Sequence, residues 1–243
     1  MRLPRAFVDQ PLAQGEIITL PEAAAHHLTR VLRLGADDQV LLFNGDGHDY
    51  RGRVISAPHE PPRLYIEIAG EQEPAAPLAI RLAIGISRGE RMDFAIQKAV
   101  ELGVAEIQPL FTERSMVRLQ GQRLERRICH WQGVLVGACE QSGRRRIPRL
   151  SQAARLADWL PGAGPGGILL DPDAELALTA LPPPAPQLTL LVGPEGGLSP
   201  KERTLAGRHG LRGVRLGPRI LRTETAPLAA IAVIQALWGD LGH

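Results

Sequence analysis

The stretch Leu190-Leu191-Val192-Gly193-Pro194-Glu195-Gly196-Gly197-Leu198-Ser199-Pro200-Lys201-Glu202 runs from a continuously apolar segment, through a glycine-rich turn, into a helix start. Leu188–Val192 has the texture of a strand buried on both faces, a property of parallel sheets covered by helices. Ser199 as N-cap, Pro200 after it and Glu202 at the third helical position form a capping box with a favoured first-turn proline, so a helix over Ser199–Arg208 is expected. The glycines therefore lie at the carboxyl end of a strand, where open parallel sheets bind ligands. Lacking Cβ atoms, Gly193, Gly196 and Gly197 leave backbone N–H and C=O groups accessible. Their spacing is not that of a dinucleotide loop, and no Gly-Lys-Ser/Thr follows as in a P-loop. Glu195 also occupies the place a phosphate would take and would repel it. A neutral or cationic ligand gripped by backbone groups is the functional reading; a plain connecting turn is the bland one.

The same order returns in Val214-Arg215-Leu216-Gly217-Pro218-Arg219-Ile220-Leu221-Arg222-Thr223-Glu224-Thr225-Ala226. Strand, Gly-Pro turn and helix follow one another, with Thr225 as the expected N-cap and Pro227 just inside. Two such turns at the ends of neighbouring strands would form opposite walls of one crevice. Arg219, Arg222, Thr223 and Glu224 crowd the second wall more densely than a structural turn requires.

Working outward, Leu78–Ile86, Val104–Leu110, Gly167–Leu170 and Gly213–Leu216 read as strands. Glu90–Leu102, Leu124–Glu140 and Thr225–Trp238 read as helices, the first with Met92, Ile96, Ala99 and Val100 on one side and Gly103 closing it. Strands alternating with helices imply an α/β, doubly wound parallel sheet. The front of the chain differs. Gln39–Phe43 and Arg51–Ile55 flank Asn44-Gly45-Asp46-Gly47, a hairpin signal, and Leu64–Ala69 alternates as a further strand. Pro21–Leu34 has helical spacing and ends at Gly35. A small barrel or open sheet with one helix is expected over residues 1–72, a linker over Glu71–Pro77, and a second domain over 78–243.

Composition narrows the classes. The 243 residues are 44% hydrophobic and 22% charged, ordinary for a soluble globular protein, with no run long enough for a membrane span and no secretory pattern at the start. A cytoplasmic location is the default. Cys129 and Cys139 do not make a disulfide framework. The histidines show no metal-ligand spacing, and no G-x-S-x-G occurs. Net charge is +2, yet eight arginines between Arg118 and Arg149 face only Glu125 and Glu140. Arg144-Arg145-Arg146, after Gly143, suits phosphate contacts, or else a solvated helix end complementing its dipole. Lys98 and Glu101 make an i, i+3 pair. Arg114 and Ser115 follow a strand end and would face the same crevice.

Five segments in order carry a resemblance: His26-His27-Leu28-Thr29-Arg30-Val31-Leu32-Arg33, Lys98–Val104, Glu140-Gln141-Ser142-Gly143-Arg144, Gly193–Gly197, and Leu216–Ala226. Together they resemble the uridine-N3 methyltransferases of small-subunit ribosomal RNA (RsmE type) in the SPOUT superfamily, over the whole chain. Cys129-His130 before Trp131 departs from the more basic stretch of that family. The resemblance implies a PUA-like RNA-binding β-barrel in front, a SPOUT methyltransferase domain with a C-terminal trefoil knot behind, and a homodimer. It implies S-adenosylmethionine as cofactor, held largely by backbone groups of Leu191, Val192, Gly193, Pro194, Glu195, Gly196 and Gly197 and of Leu216, Gly217, Ile220 and Leu221, with Leu170 and Thr223 beside them.

For methylation at N3 of uracil the pairing-edge proton must leave, which calls for a general base and for a cation to stabilise charge on the ring oxygens. Glu224 is the candidate base and Arg222 the candidate cation, against purely structural roles at a helix start. Arg5, Arg114, Arg144, Arg145 and Arg146 are the candidate RNA-phosphate contacts. Other readings are a SPOUT enzyme acting on another RNA atom such as a ribose 2′-hydroxyl, and a non-catalytic RNA-binding assembly factor. A nicotinamide-dependent enzyme is disfavoured by the missing fingerprint.

Overall fold

The computed structural model describes residues 3–26, 28, 34–56, 63–117, 119–164 and 166–242. The chain divides into two compact units, Met1–Ala75 with Cys139–Ile147, and Ala76–Ala138 with Pro148–His243.

In the first unit, β1 (Arg5–Phe7), β2 (Ile17–Thr19), β3 (Gln39–Phe43), β4 (His48–Val54) and β5 (Arg63–Gln72) form a five-stranded sheet in the order β1-β3-β4-β5-β2. The hairpin between β3 and β4 closes as expected, with Gly45 and Gly47 at φ 92° and 102°, values only glycine adopts freely. Period-two patterning drives β5 onto the core: Leu64 and Ile66 are fully buried, while Arg63 and Tyr65 face out. The strand outruns its expected end, because Gln72 pairs with His48; Glu71 and Gln72 are sheet residues rather than linker. Of the helix expected over Pro21–Leu34, α1 (Glu22–His26) is described; most of its remainder, like most of His26–Arg33, lies outside the described residues. The three-residue strands β1 and β2 were not anticipated, being too short to carry a period.

A buried ionic network completes this unit. Arg5 is 7% exposed; it donates to Asp49 Oδ1 at 2.6 Å, to the Cys139 carbonyl at 2.8 Å and to the Arg144 carbonyl at 3.2 Å. Its guanidinium also lies over the Phe43 ring. Arg145 donates to Asp49 Oδ2 and to the Glu71 carbonyl, and the backbone N–H groups of Arg145 and Arg146 both reach Glu73. The phosphate contact expected of Arg5 is therefore corrected: its two terminal nitrogens are bonded inside the protein, and Nε, though without a hydrogen-bond partner among the described residues, is sealed from solvent. Burial pushes the Cys139 thiol up to about 11, against the pull of Arg144 and Arg5, which leaves it unreactive near neutral pH.

In the second unit, β6 (Ala79–Gly85), β7 (Glu106–Phe111), β8 (Arg149–Leu150), β9 (Ala154–Arg155), β10 (Ile168–Leu170), β11 (Gln187–Val192) and β12 (Arg212–Val214) make a seven-stranded sheet. The order is β12-β10-β11-β6-β7-β8, with β9 also on β7, and every pair is parallel. The sheet carries α2 (Glu90–Glu101), α3 (Gln122–Ser142), α4 (Leu156–Trp159), α5 (Pro200–Arg208) and α6 (Thr225–Trp238). The expected capping box opens α5, with Glu202 and Ser199 exchanging both bonds. α2 buries Met92, Ala95, Ile96, Ala99 and Val100 and packs on α6, from which Gln235 donates to the Leu102 carbonyl at 2.9 Å. The Cys129-His130 departure finds a local use: His130 and Trp131 on α3 both bond Asp93 of α2. None of the described helices is long and apolar enough to cross a membrane.

Two expectations fail. β11 and β12 are not neighbours, since β10 lies between them. Thr225 is the first residue of α6 rather than its cap; Glu224 holds the N-cap position in a helical conformation, without a side-chain bond to the helix.

Candidate functional site: a cavity at the carboxyl ends of the strands

Because all seven strands run parallel, the turns after β10, β11 and β12 gather on one edge of the sheet. There they enclose a cavity of about 690 Å³. One wall is Val192, Gly193, Pro194, Glu195, Gly196 and Gly197; the other is Leu216, Gly217, Leu221, Arg222, Thr223 and Glu224; Leu170 and Asp171, at the end of β10, fill the gap that strand order opens between them. The two glycine-rich turns thus meet across a strand rather than side by side. Arg114 also lines the cavity, whereas Ser115 turns back to Thr112. Leu191 does not: it is 0% exposed and packs in the core with Ala83 and Leu169. Ile220 borders the cavity and is 86% exposed. Arg5, Arg144, Arg145 and Arg146 belong to the other unit.

The turns keep their shape by close backbone approach. A Cβ on Gly85 would stand 2.5 Å from both the nitrogen and Cδ of Pro194, and one on Gly193 would meet Gly197 and Leu198 backbone at 2.9 Å. Glycine at Gly85 therefore lets the cavity turn cross directly over the end of β6. Gly85→Ala should destabilise the protein by about 1–3 kcal/mol through overpacking. It should also weaken ligand binding in the cavity, read together by thermal melting and calorimetry; wild-type values for both would mean the turn shifts without consequence. The second wall is pinned to the first by hydroxyls. Thr223 donates to the Gly193 carbonyl at 3.1 Å, and the Ser87 hydroxyl, 3.3 Å from Thr223, has the Gly85 carbonyl at the same distance as a second acceptor for its one proton. Glu202 does a third job beyond its capping box: its Oε1 accepts the Glu113 N–H at 2.8 Å. That holds the loop from which Arg114 donates to the Gly196 carbonyl at 3.0 Å.

The charge pattern is specific. Glu195 accepts the Arg88 N–H at 2.9 Å and faces Arg91 at 3.3 Å, while Glu224 Oε2 lies 4.0 Å from Arg91 Nε. Burial alone raises the Glu195 carboxyl; the Arg88 and Glu195 N–H groups and the Arg91 guanidinium outweigh it and hold it below the usual carboxylate range. Glu195 and Glu224 each retain one oxygen sealed from solvent and without a hydrogen bond among the described residues. Arg91 escaped the sequence reading, although it follows the carboxyl end of β6 just as Arg114 follows that of β7. Arg203, tied to Asp171 and Asp173 beside the cavity, was missed as well. Two under-satisfied carboxylates beside open backbone suit a ligand that carries positive charge at that wall, while Arg114, Arg219 and Arg222 line the same cavity.

Comparison with known proteins agrees with this geometry. Residues 74–235 match the RNA methyltransferase domain family, and residues 20–64 match the RNA methyltransferase PUA domain family. Ribosomal RNA small subunit methyltransferase E of Buchnera aphidicola is 32% identical over 99% of this chain and 98% of its own length. A methyltransferase of Legionella pneumophila, in complex with its bound cofactor S-adenosylmethionine, superposes with a TM-score of 0.95 at 36% identity over 99% of this chain and 100% of that one. Ribosomal RNA small subunit methyltransferase E of Neisseria gonorrhoeae, bound to S-adenosylmethionine, gives 0.92 at 36% identity, with 99% and 100% covered. A family match over most of the chain, full-length relatives and a cavity of matching chemistry lead to one conclusion: the chain belongs to the RNA methyltransferase family, in its ribosomal RNA small subunit methyltransferase E branch.

Proposed function

We propose that the protein methylates N3 of a uridine in small-subunit ribosomal RNA, with Glu224 as general base and Arg222 as the stabilising cation. S-adenosylmethionine-dependent methylation of that RNA is the activity of the branch to which the chain belongs. The cavity fits the cofactor on two counts: no Cβ obstructs the backbone of Gly193, Gly196 and Gly197, and the flanking carboxylates suit a sulfonium cation. Leu170, Val192, Gly193, Pro194, Glu195, Gly196, Gly197, Leu216, Gly217, Leu221 and Thr223, with the Ile220 backbone, would hold it. When bound, S-adenosylmethionine supplies an electrophilic methyl group on positively charged sulfur.

The observation that carries the reading is Glu224 on the cavity wall: its Oε2 makes no hydrogen bond among the described residues and has the Arg91 guanidinium beside it at 4.0 Å. Neutral uracil has no free electron pair at N3 to receive a methyl group. Glu224 would take the N3 proton and so free the N3 electron pair for the methyl group; the donor would supply that methyl, its carbon–sulfur bond breaking with the pair kept on sulfur. Arg222, exposed at the same wall, stabilises negative charge spreading onto the ring oxygens. Holding both partners in line supplies much of the remaining acceleration.

Around this centre we place a SPOUT domain over 78–243 with a C-terminal trefoil knot and a PUA-like RNA-binding barrel over 1–72, acting as a homodimer in the cytoplasm. The exposed Phe94 on α2 and Leu237 on α6, two helices that pack together, support a second copy as the dimer partner. Arg114, Arg144 and Arg146 remain the proposed phosphate contacts, and Arg145 joins them only through the part of its guanidinium that Asp49 and the Glu71 carbonyl leave free. The test is nucleoside mass spectrometry of small-subunit ribosomal RNA after incubation with protein and labelled S-adenosylmethionine. Labelled 3-methyluridine is expected. A ribose-methylated nucleoside would move the target atom, and cofactor binding with no labelled nucleoside would favour the assembly factor.

A further inference from the structure

The rim between the two ends of the second wall has an unusual composition. Ile220 is the most exposed large apolar side chain among the described residues, at 86%. On either side, Arg219 and Arg222 are exposed, and their side chains make no hydrogen bond or ion pair among the described residues. The other cavity arginines differ: Arg91 is tied to Glu195, Arg114 to the Gly196 carbonyl, Arg203 to two aspartates, and Arg215 to the Ala174 and Glu175 carbonyls. The segment is nonetheless fixed at both ends. Gly217 takes a φ of 114° at its start, and Thr223 is bonded to the Gly193 carbonyl at its finish. A large aliphatic group and two uncommitted cations are thus presented together at the cavity mouth.

Apolar exposure of this kind, flanked by free charge, matches one class of visitor. A base modified on its pairing edge must leave its helix, loses its stacked neighbours, and arrives with a phosphate on either side. It then needs an apolar surface for its face and a cation for its backbone. We infer that Ile220 and Arg219 form the receiving edge for the target nucleotide: the Ile220 side chain packs against the face of the extruded uracil, and Arg219 binds an adjacent phosphate. This rests on the reading of the cavity as the donor site and of uracil as the target. It gives Ile220 a role toward RNA and leaves its backbone to the donor. Arg222, the nearer cation by its place on the wall, keeps its role toward the ring oxygens.

The test uses the intact protein, small-subunit ribosomal RNA lacking the modification, and S-adenosylmethionine. Ile220→Ala should lower kcat/KM for the RNA about ten- to a hundredfold, the rate equivalent of one isoleucine's burial, and Ile220→Leu should restore most of it. Donor affinity by calorimetry should stay at the wild-type value in both. Arg219→Gln should reduce the slope of log affinity for RNA against log salt by about one. An equal loss of donor affinity in Ile220→Ala would make the side chain a donor contact. A changed sedimentation coefficient would make it an interface between copies, and an unchanged kcat/KM would leave it no role. Each of these overturns the inference. A wild-type product other than 3-methyluridine overturns the underlying reading instead, and is recognised before any variant is made.

Discussion

Glu224→Gln should lower kcat about a hundred- to ten-thousandfold, the range that a positioned general base supplies. Glutamine keeps the size of the side chain and the start of α6, where Glu224 makes no side-chain cap bond that could be lost. S-adenosylmethionine affinity should therefore change far less than the rate, so the loss falls on kcat rather than on binding. The pH dependence has a definite sign. As pH rises, hydroxide removes the N3 proton without help from the protein, so the gap between variant and wild type should narrow toward alkaline pH. Single-turnover methylation of small-subunit ribosomal RNA across a pH series measures it. A variant with a wild-type rate would move the proton acceptor elsewhere, with Glu195 the first alternative because it too keeps an oxygen without a hydrogen bond among the described residues.

Arg5→Ala should destabilise the first unit by about 3–5 kcal/mol, the cost of removing one partner from a buried ion pair. The Arg5 and Asp49 side chains are 4% and 17% exposed, so little solvent is available to take over the lost interactions. The deletion also removes a donor from the carbonyls of Cys139 and Arg144, each of which accepts from Arg5, although Cys139 keeps the Gly143 N–H at 3.1 Å. Asp49 keeps Arg145 at 3.1 Å, which favours the lower end of the range. Arg5→Lys should recover only part of the loss, since an ammonium cannot reproduce a fork that reaches three acceptors. Urea unfolding of the intact protein gives the size of the effect. The salt dependence of RNA binding, taken on the folded fraction, should not change; a slope reduced by about one would return Arg5 to the RNA surface.

These two residues mark the limits of what the sequence discloses. The cavity was legible because its determinants are local: an apolar strand, glycines and a capping box within thirteen residues specify strand, turn and helix with no help from elsewhere. Twelve of the thirteen proposed cofactor residues line it, and Leu191 alone fails, because one residue before the end of β11 its side chain is buried in the core against a face of the sheet. Sheet order was not legible. Val192 and Val214 end strands with similar texture, and nothing in either run says that β10 inserts between them. Arg5 was misread for a related cause: its partners lie 44 and 134 positions away, and a basic residue near a terminus carries no mark of burial. Thr225 has the right chemistry for a cap, but the backbone at Glu224 is already helical, so its hydroxyl has no free N–H to meet. Arg91 was legible in principle, by the strand-end rule that found Arg114.

The composition of the first unit has a consequence for biosynthesis. Its sheet is made from residues before Ala75, but its ionic interior waits for Cys139–Ile147. During synthesis, Arg5 and Asp49 therefore emerge long before Cys139, Arg144 and Arg145 exist to satisfy them. The amino-terminal segment must spend that interval with a cation and a carboxylate only partly matched, exposed to proteases and to chaperones. A fragment ending at the linker would be arrested permanently in that interim state, so the two halves of the protein are separable on paper and continuous in manufacture.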